Sequence, residues 1–156
     1  MNEYISSFTT GSCTTATTAI PLQLAGRFDA AQLVVGNLDP TCTEALRQNP
    51  TLQKPGIRIL TEDARVLPSV PDQAVDLIIT DPPWGYFEQI DDITGFYVEM
   101  LRSFRRILNP NGKAVVLTAR KAELLAAAEA AGAIIRDQLN TLVNGKKAAL
   151  FTVQYD

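Results

Sequence analysis

The apolar run that ends in two prolines constrains the fold of this chain more than any other feature. Residues 75–80 read Val-Asp-Leu-Ile-Ile-Thr, and an apolar, β-branched run of this length is typical of a buried strand. Pro82 and Pro83 cannot donate hydrogen bonds to a sheet, so we expect the strand to end at Asp81. The chain should therefore present Asp81 and Trp84 at the carboxyl end of a buried strand, the edge where open α/β sheets bind ligands.

The residues at this edge suit a planar ligand that carries an amine. The Asp81 carboxylate can accept a hydrogen bond from an exocyclic amine, and the carbonyl of Pro82 can accept a second one. Two acceptors on one NH2 group would direct the nitrogen lone pair towards an electrophile. Trp84 can stack on a planar base. A base inside a duplex would have to be flipped out to reach these groups.

The tetrapeptide Asp81-Pro82-Pro83-Trp84 is similar to the D-P-P-[YW] motif of S-adenosylmethionine-dependent amino-methyltransferases that act on nucleobases. With Gly85 after it, the motif most resembles the D-P-P-Y-G version in RNA guanine-N2 methyltransferases, and the tryptophan version is also seen in adenine-N6 methyltransferases. Protein-glutamine methyltransferases have Asn in place of Asp81. The resemblance implies S-adenosylmethionine as the cofactor and a catalytic role for Asp81, Pro82, Pro83 and Trp84.

The segment immediately after the motif is expected to lie over the site, and loops in this position often act as lids. The predicted substrate-binding residues are Trp84, Gly85, Tyr86 and Phe87. Tyr86 and Phe87 could sandwich a base or could equally cover the core, and the sequence leaves both interpretations open.

A small-residue turn, Gly11-Ser12-Cys13-Thr14, joins a predicted strand to a predicted helix. Glycine lets the backbone approach a ligand there, and the helix N-terminus offers free N–H groups. The turn resembles the family's G-S-G-T loop, which wraps the methionine part of the cofactor, with Cys13 in place of the second glycine. The family's preceding Asp-Pro is replaced by Ser7 and Phe8. The resemblance implies cofactor contacts from Gly11, Ser12 and Thr14, and a purely structural turn remains the alternative.

The predicted second strand, residues 31–36, leads to Asn37 and Asp39. These residues match the two acidic positions of the family's G-S-D-I-D-P segment, and an acidic side chain after the second strand typically binds a ribose diol. The resemblance therefore implies that Asn37 and Asp39 bind the cofactor, with Asn37 offering a single acceptor oxygen. Asp39 is equally suited to capping the next predicted helix, residues 41–48.

The predicted third strand, residues 56–60, leads to Asp63 and Ala64. Asp63 resembles the family's acidic residue that meets the adenine amine of the cofactor, and Ala64 is assigned to the cofactor site beside it. A solvated turn residue is the alternative for Asp63.

The second half of the chain alternates helical and strand patterns. A helical stripe contains Phe96, Met100, Leu101, Phe104 and Leu108. Its opposite face carries Arg102, Arg105 and Arg106, which are expected to be solvated, with phosphate contact as the alternative. A tight turn at residues 109–112, a strand at residues 113–118 and a helix at residues 119–131 come next. Asn144-Gly145 then favours a hairpin turn.

This order of elements predicts an α/β fold, a Rossmann-like, seven-stranded, mostly parallel doubly wound sheet with a C-terminal antiparallel hairpin. It resembles the class I methyltransferases, in which the hairpin supplies the seventh strand. The resemblance extends over most of the chain.

Composition favours a single domain over residues 1–156 and narrows its chemistry. The chain has 156 residues, a net charge of −3 and no histidine, which removes histidine-based catalysis and most zinc sites. Cys13 and Cys42 lack the spacing of a metal-ligand pair, so no metal site is expected. Neither a membrane-spanning stretch nor a signal peptide is visible, and a cytoplasmic location is predicted.

These observations predict transfer of a methyl group from S-adenosylmethionine to an exocyclic amine of a nucleobase, guanine N2 or adenine N6 in RNA. The negative charge argues against tight RNA binding by this chain alone. We therefore expect help from a protein partner, from a missing recognition domain or from a homo-oligomer. A non-catalytic methyltransferase-like scaffold subunit and a small-molecule amine methyltransferase remain the alternatives.

Overall fold

Seven strands form one sheet in the residues that the computed structural model describes, which are 4–9, 15–27, 32–86 and 89–156. The strands are β1 Tyr4–Thr9, β2 Gln32–Asn37, β3 Ile57–Thr61, β4 Val75–Asp81, β5 Leu108–Thr118, β6 Ile134–Val143 and β7 Lys146–Gln154. Their order across the sheet is β3-β2-β1-β4-β5-β7-β6.

The sheet is mixed. β1 to β5 run parallel to one another, whereas β7 lies antiparallel between β5 and β6. This arrangement confirms the predicted α/β fold. Because β7 runs opposite to β5, the β6–β7 turn lies at the same edge of the sheet as the carboxyl end of β4.

Helices cover both faces of the sheet. They are α1 Thr15–Arg27, α2 Pro40–Arg47, α3 Ile93–Ile107 and α4 Lys121–Ala131. On one face, Val35 of β2 belongs to an apolar cluster with Leu24 of α1 and Leu46 of α2. Val34 points the opposite way, as neighbours in a strand do, and joins a second cluster with Phe104 of α3. The sheet is thus buried between two cores, which explains the long apolar run of β4.

The predicted stripe of α3 is confirmed with two differences. One is that Leu108 begins β5 instead of continuing the helix. Met100, Leu101 and Phe104 are fully buried, but the aromatic residue buried in the first turns is Tyr97, whereas Phe96 is only partly buried. Tyr97 thereby reaches the end of β4, where the candidate site lies.

Arg106 contradicts the expectation of a solvated arginine face on α3. Its guanidinium donates to the carbonyls of Val66, Leu67 and Val70 at 2.8–3.0 Å and pairs with Asp72 at 2.6 Å. These carbonyls belong to the segment between β3 and β4, which has no helix to satisfy its own backbone. Arg102 and Arg105 are exposed, as expected.

The turn predicted at residues 109–112 lies inside β5. The pairing with β4 jumps from Val75–Leu108 to Leu77–Lys113, so these four residues bulge out of the ladder. Asn109 accepts a hydrogen bond from the Asn111 N–H at 2.9 Å, which is the turn chemistry that the sequence predicted.

Two predicted turns agree with the structure, whereas the helix predicted at residues 119–131 begins at Lys121. Gly132 ends α4 in the left-handed conformation (φ 65°). Asn144 and Gly145 form the β6–β7 turn with φ values of 49° and 77°, which is the hairpin geometry favoured by Asn-Gly.

Candidate active site

Asp81 is the last residue of β4, and its backbone pairs with Thr9, the last residue of β1. Pro82 and Pro83, both buried, then take the chain out of the sheet. Burial raises the pKa of the Asp81 carboxyl to about 6, and the Trp84 indole N–H, which favours the charged form, works against this rise. The partly buried carboxyl group is therefore an ionised hydrogen-bond acceptor at neutral pH.

The Pro83 carbonyl is held in place by a side chain of α3. The Tyr97 hydroxyl donates to this carbonyl at 2.8 Å and lies 2.9 Å from the Thr118 hydroxyl at the end of β5. Burial raises the pKa of Tyr97 well above its usual range, so the hydroxyl remains protonated. Sequence reasoning assigned no role to Tyr97, although a tyrosine facing an apolar core needs a hydrogen-bond partner.

Trp84 is held by the end of β5 and the start of α4. Its indole N–H donates to the Leu117 carbonyl at 3.3 Å, and its own carbonyl accepts from Arg120 Nε at 2.7 Å. The Arg120 backbone N–H in turn donates to Thr118 Oγ1 at 2.9 Å. Sequence reasoning missed Arg120, which nothing in the local pattern distinguishes from a surface arginine.

The Pro82 carbonyl differs from the carbonyls of Pro83 and Trp84, each of which accepts a hydrogen bond from a side chain. None of the residues that the structure describes donates a hydrogen bond to it, although Pro82 is buried. The protein thus uses the carbonyls of Pro83 and Trp84 for anchoring. Among the described residues, two acceptors remain at the carboxyl end of β4: the Pro82 carbonyl, and the Asp81 carboxylate, whose two oxygens can accept more than the hydrogen bond from Trp84.

The chain then turns at Gly85, whose φ of 72° favours glycine, and places Tyr86 half-exposed beside the motif. The rings of Trp84 and Tyr86 meet edge to face with centroids 6.5 Å apart. Arg120 and Lys146 both contact the Tyr86 ring. Phe87, the remaining predicted substrate residue, lies outside the described residues.

Asn37 and Asp39 are bonded to each other at the carboxyl end of β2. Asn37 is buried, and its side-chain oxygen accepts from the Asp39 N–H at 2.7 Å. Asp39 caps α2 by accepting from the Thr41 N–H at 2.8 Å, which confirms the capping role. The ribose role of both residues stays a prediction.

Asp63 is paired rather than solvated. Its carboxylate lies 2.7 Å from the Arg65 guanidinium and also accepts from the Arg65 backbone N–H. The hydrogen bond from the Arg65 side chain lowers the pKa of Asp63. Arg65 in turn contacts Glu99 at 3.4 Å and the Phe96 ring at 5.0 Å. The buried Ala64 lies between the paired residues.

Gly11, Ser12 and Thr14 lie outside the described residues. Elsewhere in the chain, the described side chains include no group of three or more His, Cys, Asp or Glu that could hold a metal ion. None of the described helices is long and apolar enough to cross a membrane.

A family model settles the classification. Residues 11–148 match the model of the RMKL-like methyltransferase domain, UPF0020. The chain belongs to this family. This family of domains depends on S-adenosylmethionine, which is therefore the cofactor of the chain.

Solved structures agree with this classification. The RMKL-like chain is 25% identical to TrmN from Thermus thermophilus, with a TM-score of 0.78 over 99% of this chain and 44% of that one. The chain therefore spans less than half the length of that relative. No curated protein sequence matches it.

Two more distant structures show the fold alone. A TehB-like methyltransferase from Corynebacterium glutamicum is 18% identical, with a TM-score of 0.69 over 99% of this chain and 81% of that one. The B. subtilis M1A22 tRNA methyltransferase TrmK is 12% identical, with a TM-score of 0.69 over 99% and 61%.

The described side chains fit the cofactor of the family. One carboxylate oxygen of Asp39 accepts from the Thr41 N–H at the start of α2, and the other lies 3.7 Å from the Cys42 thiol. Both oxygens keep lone pairs that can accept from ribose hydroxyls. The single side-chain oxygen of Asn37 already accepts one hydrogen bond. Asp39 is thus the better suited of the two to a diol.

Proposed function

We propose that this methyltransferase modifies an exocyclic amine of a nucleobase in RNA, guanine N2 or adenine N6. The observation that carries the proposal is the selective anchoring of the Asp81–Trp84 segment. Tyr97 donates a hydrogen bond to the Pro83 carbonyl, and Arg120 donates one to the Trp84 carbonyl. Among the described residues, the Asp81 carboxylate and the Pro82 carbonyl remain as acceptors for a substrate.

Two neighbouring acceptors match the two N–H bonds of an aromatic NH2 group. When both N–H bonds are engaged, the nitrogen lone pair has one direction left, away from the two acceptors. S-adenosylmethionine supplies an electrophilic methyl group on its sulfonium. With the cofactor bound, the amine nitrogen would bond to this methyl group as the carbon–sulfur bond breaks, releasing S-adenosylhomocysteine, and the Asp81 carboxylate would accept the proton that the nitrogen then loses.

Asp81 contributes charge as well as position. Its carboxylate stabilises the positive charge that develops on the amine nitrogen, and partial burial strengthens this interaction. Most of the rate acceleration then comes from orientation and electrostatics. The prolines add rigidity, because their fixed backbone angles keep the two acceptors in place.

Trp84 is the stacking platform for the base. Its indole is fixed at one edge by the Leu117 carbonyl, and Tyr86 packs against it at 6.5 Å. A ring fixed in this way loses little side-chain entropy when a base stacks on it. On the cofactor side, we assign Gly11, Ser12, Thr14, Asn37, Asp39, Asp63 and Ala64.

Two comparisons support RNA as the substrate and a partner for its recognition. The B. subtilis relative TrmK is a tRNA methyltransferase. A Haloferax volcanii methyltransferase of the same fold is seen in a complex with the Trm112 methyltransferase activator. The net charge of −3 also favours recognition shared with a partner protein, a further domain or a second copy of the chain. The cytoplasmic location stays a prediction.

The test is a methyl-transfer assay in which S-adenosylmethionine carries an isotopic label in its methyl group. RNA and free amines are offered separately as substrates, and the labelled products are identified by nucleoside analysis. We expect label in N2-methylguanosine or N6-methyladenosine. Asp81→Asn should lower turnover at least about tenfold, since a charge-assisted hydrogen bond is worth roughly 1.5–3 kcal/mol. Glu129→Gln, at an exposed site on α4, is the matched control and should keep wild-type turnover.

The assay also separates the alternatives. Label in free amines but not in RNA would identify a small-molecule methyltransferase. Label on a ring carbon or on a 2′-hydroxyl would overturn the assignment of an amine. Equal turnover of wild type and Asp81→Asn would remove Asp81 from the catalytic residues.

A further inference from the structure

Three cations lie beside the candidate site, two of them against one aromatic ring. The Arg120 guanidinium lies 4.9 Å from the centre of the Tyr86 ring, and the Lys146 ammonium lies 3.9 Å from it. Lys121, the next residue after Arg120, donates to the Asn140 amide oxygen at 2.8 Å. We refer to Tyr86, Arg120, Lys121 and Lys146 as the Tyr86 cluster.

The fold brings these residues together from distant parts of the chain. Arg120 and Lys121 come just after the carboxyl end of β5, and Lys146 begins β7 at the β6–β7 turn. Because β7 is antiparallel to β5, with Ala149 opposite Thr118, its first residues lie at the edge where β4 ends. The Tyr86 cluster is therefore at the same edge of the sheet as Asp81.

The cluster lies on the substrate side of Asp81. The described residues assigned to the cofactor lie at the ends of β2 and β3, on one side of β4 in the sheet. The cations lie on the other side, at the junction of β5 and α4 and at the start of β7. Tyr86 contacts Trp84, the proposed stacking platform. Arg120 and Lys146, which contact the Tyr86 ring, are thus one aromatic ring away from the expected position of the target base.

The charge of the cluster differs from that of the whole chain. Arg120 and Lys146 bring two positive charges to the Tyr86 ring, and Lys121 adds a third from the residue next to Arg120, in a protein of net charge −3. The Glu123 carboxylate lies 3.5 Å from Arg120, whereas Lys121 donates to a neutral amide. Methylation of an amine does not need cations at this position. The phosphates that flank a nucleotide are negatively charged, and cations at this position can neutralise them.

We infer that the Tyr86 cluster binds the RNA phosphate backbone next to the target nucleotide, with Lys146 and Lys121 as the phosphate contacts. This inference rests on the proposed function, because it takes RNA as the substrate. The electron-rich face of the Tyr86 ring attracts the positively charged Lys146 ammonium and so keeps this cation beside the proposed stacking platform. Arg120 contributes charge but also anchors Trp84 at 2.7 Å, so its main role is positional.

The experiment compares Lys146→Gln, Lys121→Gln and their double variant with Lys147→Gln. Lys147 is the exposed neighbour of Lys146 in β7 and points to the opposite side of the strand, so it provides the same change of charge away from the cluster. For each protein, RNA methylation is measured at several salt concentrations. Affinity for S-adenosylhomocysteine and thermal unfolding are measured alongside.

We expect KM for RNA to rise about fivefold for each lysine removed from the cluster, with kcat and cofactor affinity unchanged. The slope of log KM against log salt should fall by about 0.7 for each of these lysines, as for contacts to a single strand. Lys147→Gln should match wild type in both quantities. Arg120 is left unchanged because its substitution would also release Trp84.

Two negative results have different meanings. If wild type methylates RNA, but the cluster variants match Lys147→Gln in KM and salt slope, the inference is wrong and the proposed function stands. If wild type neither binds nor methylates RNA while binding the cofactor, the proposed substrate is wrong and the inference is overturned with it.

Discussion

The hydroxyl of Tyr97 donates a hydrogen bond to the carbonyl of Pro83 at 2.8 Å, and this bond joins the core helix α3 to the proposed catalytic segment. Tyr97 is fully buried, so its hydroxyl has no access to solvent. The bond therefore fixes the position of the backbone at Pro83, where the chain leaves β4, and with it the position of the neighbouring Pro82 carbonyl. Tyr97 is a positioning residue rather than a catalytic one.

Removing this hydroxyl should separate an effect on activity from an effect on stability. We expect Tyr97→Phe to lower kcat about three- to tenfold with little change in cofactor affinity, because a small displacement of positioned groups slows the chemical step. The free energy of unfolding should fall by about 1 kcal/mol or more, since the Pro83 carbonyl loses its donor. Urea unfolding and steady-state kinetics measure the two quantities.

Tyr155→Phe is the matched control for this prediction. The Tyr155 hydroxyl also donates to a backbone carbonyl, that of Leu101, at 2.6 Å. This variant should lose stability of similar size and keep its kcat. If both variants lowered kcat equally, the Tyr97 effect would be one of general stability, and its positioning role would be wrong.

The raised pKa of Asp81 predicts opposite pH trends for activity and stability. The carboxylate form is needed to accept from the amine, so kcat/KM should rise with pH through about 6 and then level off. The native state holds the proton more tightly than the unfolded state does. Protonation of Asp81 therefore stabilises the native state. This stabilisation is complete below the ordinary pKa of about 4 and is lost as the pH rises to about 6.

Asp81→Asn tests both trends, because it removes the titrating group. We expect turnover of the variant to be at least about tenfold lower than that of wild type, as above, and the variant to be more stable at pH 7, by up to roughly 3 kcal/mol for a shift of about two pKa units. The difference in stability should vanish at about pH 4. A constant difference from pH 4 to pH 8 would show that Asp81 has an ordinary pKa in the folded protein.

The position of Asp81 could be predicted because its causes are local. A β-branched apolar run, two prolines and an aromatic residue determine where the strand ends and which groups come after it. The turns at Gly132 and Asn144-Gly145 were predictable for the same reason, since single residues dictate their backbone angles. Such local features establish the order of the elements and hence the fold.

Contacts between distant residues could not be predicted in this way. The hydroxyl of Tyr97 meets Pro83 only because α3 packs under the end of β4, and Arg106 meets the segment before β4 for a similar reason. A helical pattern places Tyr97 on the buried face and Arg106 near the surface, but it does not identify their partners. The pairing of Asp63 with Arg65 is local in sequence, yet two charges at this spacing are most often solvated.

Asp63 should affect cofactor binding more than stability. Its ion pair with Arg65 is near the surface, so Asp63→Ala should cost no more than about 1 kcal/mol of unfolding free energy. If Asp63 accepts a hydrogen bond from the adenine amine, affinity for S-adenosylhomocysteine should fall about tenfold. Calorimetric titration measures this affinity, with Asp137→Asn on the exposed face of β6 as a control. Equal affinity of wild type and Asp63→Ala would remove Asp63 from the cofactor site.

Arg106 should be essential for the order of the segment between β3 and β4. Its guanidinium donates to three carbonyls of that segment and pairs with Asp72. In Arg106→Met these carbonyls lose a charged donor, so we expect a loss of roughly 2–4 kcal/mol in unfolding free energy and faster proteolysis between residues 65 and 73. Arg102→Met, on the exposed side of the same helix, should stay within about 0.5 kcal/mol of wild type. Similar stabilities for the two variants would mean that the segment holds its conformation without Arg106, and that packing of Leu67 and Val70 in the core suffices.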